Sequence, residues 1–207
     1  TETSDSLSGP FSVLSQITCR ATANDGKTDG NTLEASTSVD NTLPTVSSVT
    51  IAPSSVYTND TITASAVLDD IDGQSISADY AWHVIDFATG VDTMVQSGSD
   101  NTLSGVLYFD RDDEVYVVVT PNDGIADGLS ETSSSLTIMN TAPTAPVVSL
   151  SPDPAIEGQD DLTCMVDIPS TDDDGDAILY TYEWTDPSGA SAQTTTEVPD
   201  SSDVFLA

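Results

Sequence analysis

Ser77-Ala78-Asp79-Tyr80-Ala81-Trp82-His83-Val84-Ile85 can bury one side only as an extended strand. Tyr80, Trp82 and Val84 share one face while Asp79 and His83 take the other, the period of two that marks a half-buried β-strand. The Tyr-x-Trp triplet returns as Tyr182-Glu183-Trp184, and the likeness extends outward from it. Asn41-Thr42-Leu43-Pro44-Thr45 matches Asn140-Thr141-Ala142-Pro143-Thr144, and Pro53 falls on Pro152. Thr61-Ile62-Thr63-Ala64 meets Asp161-Leu162-Thr163-Cys164, and Asp72-Gly73 meets Asp174-Gly175. The spacing, about 99 residues, is the length of one sandwich domain.

A second set of landmarks covers the other half of the unit. Asn24-Asp25-Gly26 aligns with Asn122-Asp123-Gly124, Asp29-Gly30 with Asp127-Gly128, and Thr18-Cys19-Arg20 with Tyr116-Val117-Val118. Residues 1–40 therefore read as the C-terminal half of one repeat, 41–139 as a complete repeat and 140–207 as the N-terminal half of a third. Alternation and turn residues predict strands A over 46–51, B over 61–68, C over 77–85, E over 103–109, F over 114–120 and G over 134–139. Ile62, Ala64 and Ala66 share one face of strand B, and residues 86–100 hold one or two short edge strands. No apolar period of 3.6 lasts long enough for a helix. The fold class is all-β: tandem sandwiches, one complete and two partial.

Charge narrows the function. Against 35 acids stand only Arg20, Lys27 and Arg111, a formal net charge of -32. Phosphate binding needs Lys and Arg to release counterions, so nucleic acid is excluded as a direct partner, and an anionic membrane surface with it. Self-repulsion on this scale opposes a compact state unless cations offset it. Acidic chains are often disordered, but the apolar residues here, 37% of the chain, are too regularly patterned for that. Nothing approaches a membrane-spanning apolar run.

The cysteines mark topology. Cys164 occupies the strand B slot and Cys19 the strand F slot of a different repeat, while the complete repeat holds Ala64 and Val117 there. Joint replacement of both slots fits a bridge between strands B and F, which packs beside the strand C Trp. Each cysteine then pairs with a slot outside this stretch, or the two pair with each other. A half sandwich cannot bury its own core. Either more of a longer array completes each half, or residues 140–207 pair with 1–40, within the chain or with an identical copy.

These motifs (the Asn-Thr-x-Pro-Thr linkers, Leu162-Thr163-Cys164, Tyr-x-Trp and the Asn-Asp-Gly loops) resemble the tandem immunoglobulin-like or polycystic-kidney-disease-like repeats of large bacterial surface proteins. The chain departs from that pattern in two places. The complete repeat lacks the disulfide, and Ile17 and Val115 stand where a tyrosine corner would place Tyr. The resemblance implies immunoglobulin-like sandwiches in an extracellular, cell-surface segment. The implied roles are a spacer or adhesin stalk, a subunit of a self-assembling filament or sheath, or a module binding a glycan or a host or surface protein.

In a sandwich, strands B and F end and strand A begins at one pole. That pole of the complete repeat collects Asp69, Asp70 and Asp72 with Asn122, Asp123, Asp127 and the linker Asn41. In the third repeat it collects Asp172, Asp173, Asp174, Asp176 and Asn140. The opposite pole carries Asp110-Arg111-Asp112-Asp113-Glu114, which is expected to face the third repeat's loop and linker. Two acidic surfaces meeting there need a cation, and Ca2+ suits a carboxylate-rich, geometrically tolerant site. The device resembles the interdomain calcium of cadherins. The bland reading is that Asp-Gly and Asn-Asp-Gly only supply turns. Asp172, Asp174, Asp176 and Glu183 match four EF-hand positions, but Ala177 replaces the required Gly and a strand follows.

Catalysis finds little to work with, and the chain is expected not to be an enzyme. His83 is the lone histidine, placed on the solvent face, and the carboxylates lie in turns rather than in a pocket that would raise a pKa. Tyr80, Trp82, Tyr182 and Trp184 share the inward parity, which favours core packing over a sugar platform. Asn59-Asp60-Thr61 is a lone glycosylation sequon.

Overall fold

A computed structural model describes residues 4–185, 188–189 and 191–197; the remaining positions of the two flanking segments, 198–207 among them, lie outside the described residues. The protein is all-β, with a single four-residue helical turn among the described residues. The sequence 41–139 forms two facing layers. One sheet holds β3 (Thr45–Ala52), β4 (Thr61–Asp69) and β7 (Thr102–Ser104), in the order β3-β4-β7. The other holds β5 (Ser77–Ile85), β6 (Asp92–Gly98), β8 (Glu114–Asn122), β9 (Glu131–Thr132) and β10 (Leu136–Thr137), in the order β10-β8-β5-β6 with β9 also on β8. All these pairings are antiparallel.

Alternation decides what enters the space between the layers. Ile62 and Ala64 of β4 and Leu103 of β7 meet Trp82 and Val84 of β5 and Val115, Val117 and Val119 of β8 in one buried cluster. Val56, Phe109 and Ile138 close its ends. Trp82 has no exposed surface, and its indole N–H reaches the Asp100 carbonyl at 3.4 Å. Asn101 completes the sheet edge, its side chain donating to the Ala64 carbonyl while its own carbonyl accepts from the Ala64 N–H, both at 2.8 Å.

Two expected strands are cut short. Strand E, expected over 103–109, keeps only β7 before the chain turns through α1 (Gly105–Tyr108). Gly105 is the cause: its N–H donates to Asp60 O at 2.7 Å, and a Cβ there would lie 2.9 Å from backbone atoms of Asn59 and Asp60. The chain presses so closely onto the turn at 57–60 that strand pairing cannot continue. Strand G, expected over 134–139, becomes β9 and β10 with a one-residue slip between them. Ser133 is responsible, since its buried hydroxyl accepts the Val117 N–H at 3.1 Å and takes the place of a backbone partner.

The flanking segments are thinner. β1 (Gln16–Asn24) and β2 (Asp29–Ser38) form a hairpin whose side chains are nearly all exposed. β11 (Val147–Ser151) pairs with β12 (Thr163–Ile168), and β13 (Tyr180–Thr185) with β14 (Ser191–Glu197), as two separate two-stranded sheets. Trp184 keeps the parity of Trp82 but is only half-buried, lining an open groove with Cys164 and Val166. Cys19 and Cys164 are free thiols, the first exposed and the second half-buried, so the pairing of the two within one chain is not formed.

This difference in cover has a measurable consequence. Trp82→Ala should cost about 3–5 kcal/mol, the usual range for emptying a large core site. Trp184→Ala should cost clearly less, because solvent already reaches that ring. Urea unfolding of the two variants, followed by circular dichroism, checks the order.

Candidate metal centre

The acidic loops are built from one repeated backbone device. In each, an Asp accepts the N–H two residues on: Asp70 Oδ1 from Asp72 at 2.7 Å, and Asp172 Oδ1 from Asp174 at 2.9 Å. A glycine follows at positive φ, Gly73 and Gly175, which Asp-Gly turns require. The second Asp then reaches the incoming linker. Thr42 N donates to Asp72 Oδ2 and Thr141 N to Asp174 Oδ2, each at 2.6 Å. The Asn-Asp-Gly loops repeat equally well. Asn24 and Asn122 accept from Gly26 and Gly124 at 2.6 and 2.7 Å, while Asp25 and Asp123 each accept two further backbone N–H groups.

Asp123 is held below the ordinary carboxyl value of 3.8, first by the Asn41 side chain, which donates at 2.8 Å, and then by the N–H groups of Ala126 and Ile125. Asp25 is lowered by Thr28 and Lys27 N–H groups in the same way. The linker, the 69–74 loop and the 122–127 loop do gather at one pole. Asp69 closes β4 there, exposed and opposite Thr45.

The opposite pole of this unit also sits where the sequence places it, against the next loop. Arg111 donates to Asn140 Oδ1 at 3.0 Å and forms an ion pair with Asp176. It also lies 3.4 Å from Asp112. A cavity of about 220 Å³ is lined from both sides, by Asp86, Asp110, Arg111 and Asp113 on one and Asp174 on the other. Asp172, Asp174 and Asp176 each offer an oxygen within 4.8 Å of the others, whereas exposed Asp173 stands outside that triad. Asp110 and Asp113 are partly committed: Asp113 accepts from Phe87 N and Asp110 N, and Asp110 from Arg111 N and Thr58 Oγ1.

Several oxygens at the two poles have no donor. Asp174 Oδ1 and Thr141 Oγ1 are buried with no partner at hydrogen-bond geometry at one, although the Thr58 and Thr141 hydroxyls lie near enough to the Asp174 carboxyl to lower its pKa, and Asn41 Oδ1, Asp70 Oδ2 and Gln74 Oε1 are buried and unpartnered at the other. Burial pushes the Asp174 carboxyl up, but the nearby Thr58 hydroxyl, the Thr141 N–H and the Arg111 charge outweigh it and hold the group below 3.8. Thr58 has one proton and also lies 3.1 Å from Asp110, so it serves one carboxylate at a time. Buried acceptors without donors are costly, and a cation bound by carboxylate and amide oxygens satisfies them.

Sequence reading missed two features. Arg111, the one cation of residues 41–139, is the group placed between the acidic surfaces; its position within 110–113 was the available signal. The second lies on the outer face of the five-stranded sheet. His83 and Tyr116 stack at 4.7 Å, and Asp92 binds His83 Nδ1 at 2.9 Å and the Tyr116 hydroxyl at 2.6 Å. The imidazole is thus half-covered rather than open to solvent. Only strand pairing, His83 opposite Tyr116, brings these residues together. Compared with known proteins, the chain matches no family model and no curated protein sequence.

Depressed carboxyl pKa values set the sign of an acid effect. Asp123 and Asp174 contribute stability that is present above 3.8 and lost as pH falls through their lower folded values. Melting temperature should therefore drop on acidification below that point. Asp123→Asn should lower it at neutral pH and flatten the acid limb.

Proposed function

We propose that this chain is a structural segment of an extracellular surface protein, made of tandem immunoglobulin-like sandwiches whose acidic junctions are stiffened by calcium. One observation carries the reading: Asp110, Arg111 and Asp113 line one cavity with Asp174 of the next acidic loop, and Arg111 reaches Asn140 and Asp176 across the junction. Five carboxylates (Asp110, Asp112, Asp113, Asp174 and Asp176) share the junction with that single guanidinium, and Asp172 lies within the same triad as the last two. The residual negative charge favours a divalent ion, and Ca2+ takes six to eight oxygen ligands in tolerant geometry. The linkers are short and hydrogen-bonded into the loops, so a cation there would fix the angle between successive units. Asp69, Asp70 and Asp72 with Asn41 and Gln74 would form the weaker, upstream counterpart.

The residues do not favour catalysis, since the lone imidazole is tied to Asp92 and Tyr116 on an outer sheet face. That same stacked pair favours a second reading, recognition of a glycan or protein partner across the outer face. Aromatic rings beside a hydrogen-bonded carboxylate suit a sugar, although two rings make a small platform.

Calcium at about 100 times its dissociation constant should stabilise the protein by about 2.7 kcal/mol. For a chain of this size that raises the melting temperature about 5–10 °C. Small-angle scattering should show a straighter particle with calcium than with chelator. Profiles identical in both conditions would count against the reading. Arg111→Ala should bend the junction without calcium and tighten calcium binding, because it removes the competing cation. Calorimetric titration checks the second effect.

A further inference from the structure

The two sheets of residues 41–139 turn unlike faces outward. On the three-stranded sheet, Thr50, Thr61, Thr63, Ser65 and Ser104 take the side opposite buried Ile62 and Ala64, and Val67 is the one large apolar side chain among them. The five-stranded sheet follows the same alternation, yet its outer face is apolar and aromatic at the centre. Ala81, His83 and Ile85 of β5 and Tyr116 and Val118 of β8 lie opposite the core side of Trp82 and Val117. Solvent asks the same of both faces, so it does not account for the difference. Apolar surface gathered on one face marks a place of contact.

The cross-strand register orders this face in rows. Tyr116, His83 and Met94 lie abreast, and the row beside them reads Glu114, Ile85, Asp92. On the other side, Val118, Ala81 and Ser97 lead on to Asp79. The apolar centre thus has carboxylates at both ends, and no lysine or arginine lies on any strand of this sheet. The centre is also held in place beforehand. Tyr116 reaches from β8 across β5 to Asp92 on β6, its hydroxyl donating at 2.6 Å, and its ring stacks on His83 at 4.7 Å. Docking on side chains already fixed loses little rotamer freedom. Met94 beside them is 55% exposed.

We propose that this face docks a positively charged protein surface, with Tyr116, His83 and Met94 taking its apolar contacts and Asp79, Asp92 and Glu114 its basic side chains. The proposal rests on the second reading above and narrows it from a glycan or a protein to a basic protein. Charge sets the sign. The chain carries -32, so a second copy or any acidic partner is repelled and a basic one attracted. Composition sets the class. Ile85, Met94 and Val118 around an aromatic pair suit the desolvated centre of a protein contact, with charged groups at its rim. A sugar's hydroxyls would lose water against those apolar side chains and gain no partner there.

The three methionines supply the readout, since Met94 lies on this face while Met139 and Met165 are exposed elsewhere. The chain, isotope-labelled at its methionine methyls, is titrated by nuclear magnetic resonance with three probes. These are a short peptide of alternating arginine and leucine, the same peptide with glutamate for arginine, and a neutral glucose oligomer. All titrations are run with chelator, so calcium at the acidic poles takes no part. The arginine peptide should move the Met94 methyl to saturation and leave the other two in place. Val118→Glu should weaken that binding about tenfold although it adds negative charge, because it spoils the apolar centre. Asp79→Asn with Glu114→Gln, both exposed positions, should weaken it about fivefold. Thermal melts check that the variants are folded. Equal movement of all three methyls would overturn the proposal, since it reports attraction to the acidic chain at large. So would a glutamate peptide as effective as the arginine one, or undiminished binding in either folded variant. A glucose oligomer that alone moves Met94 leaves recognition at this face standing and sinks the narrower claim. No movement of Met94 with any probe sinks both.

Discussion

A β-sheet can hide its apolar face only against a second layer, and that requirement organises this molecule. In residues 41–139 both layers are present, and a continuous cluster from Ile62 to Ile138 closes around Trp82. Among the described residues of the flanking segments no second layer closes over the strands, and the same alternating residues are half-covered or exposed. Burial here depends on what faces a strand, while the strands themselves form wherever the alternation runs.

Charge is the second constraint. A chain with 35 acids and three basic side chains cannot neutralise itself by ion pairs. Its loops turn carboxylates on backbone N–H groups instead, as Asp25, Asp72, Asp123 and Asp174 show. At Asp25, Asp123 and Asp174 such contacts help hold the carboxyl below its ordinary value, and they shape turns, but they leave the net charge in place. Cations remain the natural complement, and the donor-free oxygens at both poles lie where one would act.

Much of this was legible beforehand. Strands A, B, C and F were readable to within two residues because strict alternation and Asn, Asp and Gly turns bracket them. The gathering of the 41–42 linker with Asp72 and Asp123, and of Asn140 with the 110–114 and 172–176 loops, followed from strand order, although the part Arg111 plays there did not. Strands E and G were misjudged in extent because Gly105 and Ser133 act through contacts with residues distant in sequence. The His83–Tyr116–Asp92 cluster was invisible for the same reason, since no local pattern announces a pairing between β5, β6 and β8.

The sequence by itself determined the all-β class, the internal repetition and the acidic poles, because side-chain periodicity and turn chemistry are local properties of the chain. Tertiary structure decided which carboxylates are engaged, that Arg111 sits between two acidic surfaces, and that Cys19 and Cys164 of one chain do not pair with each other. Those outcomes depend on distances across layers and junctions, and a linear pattern carries no information about such distances until the strands are packed.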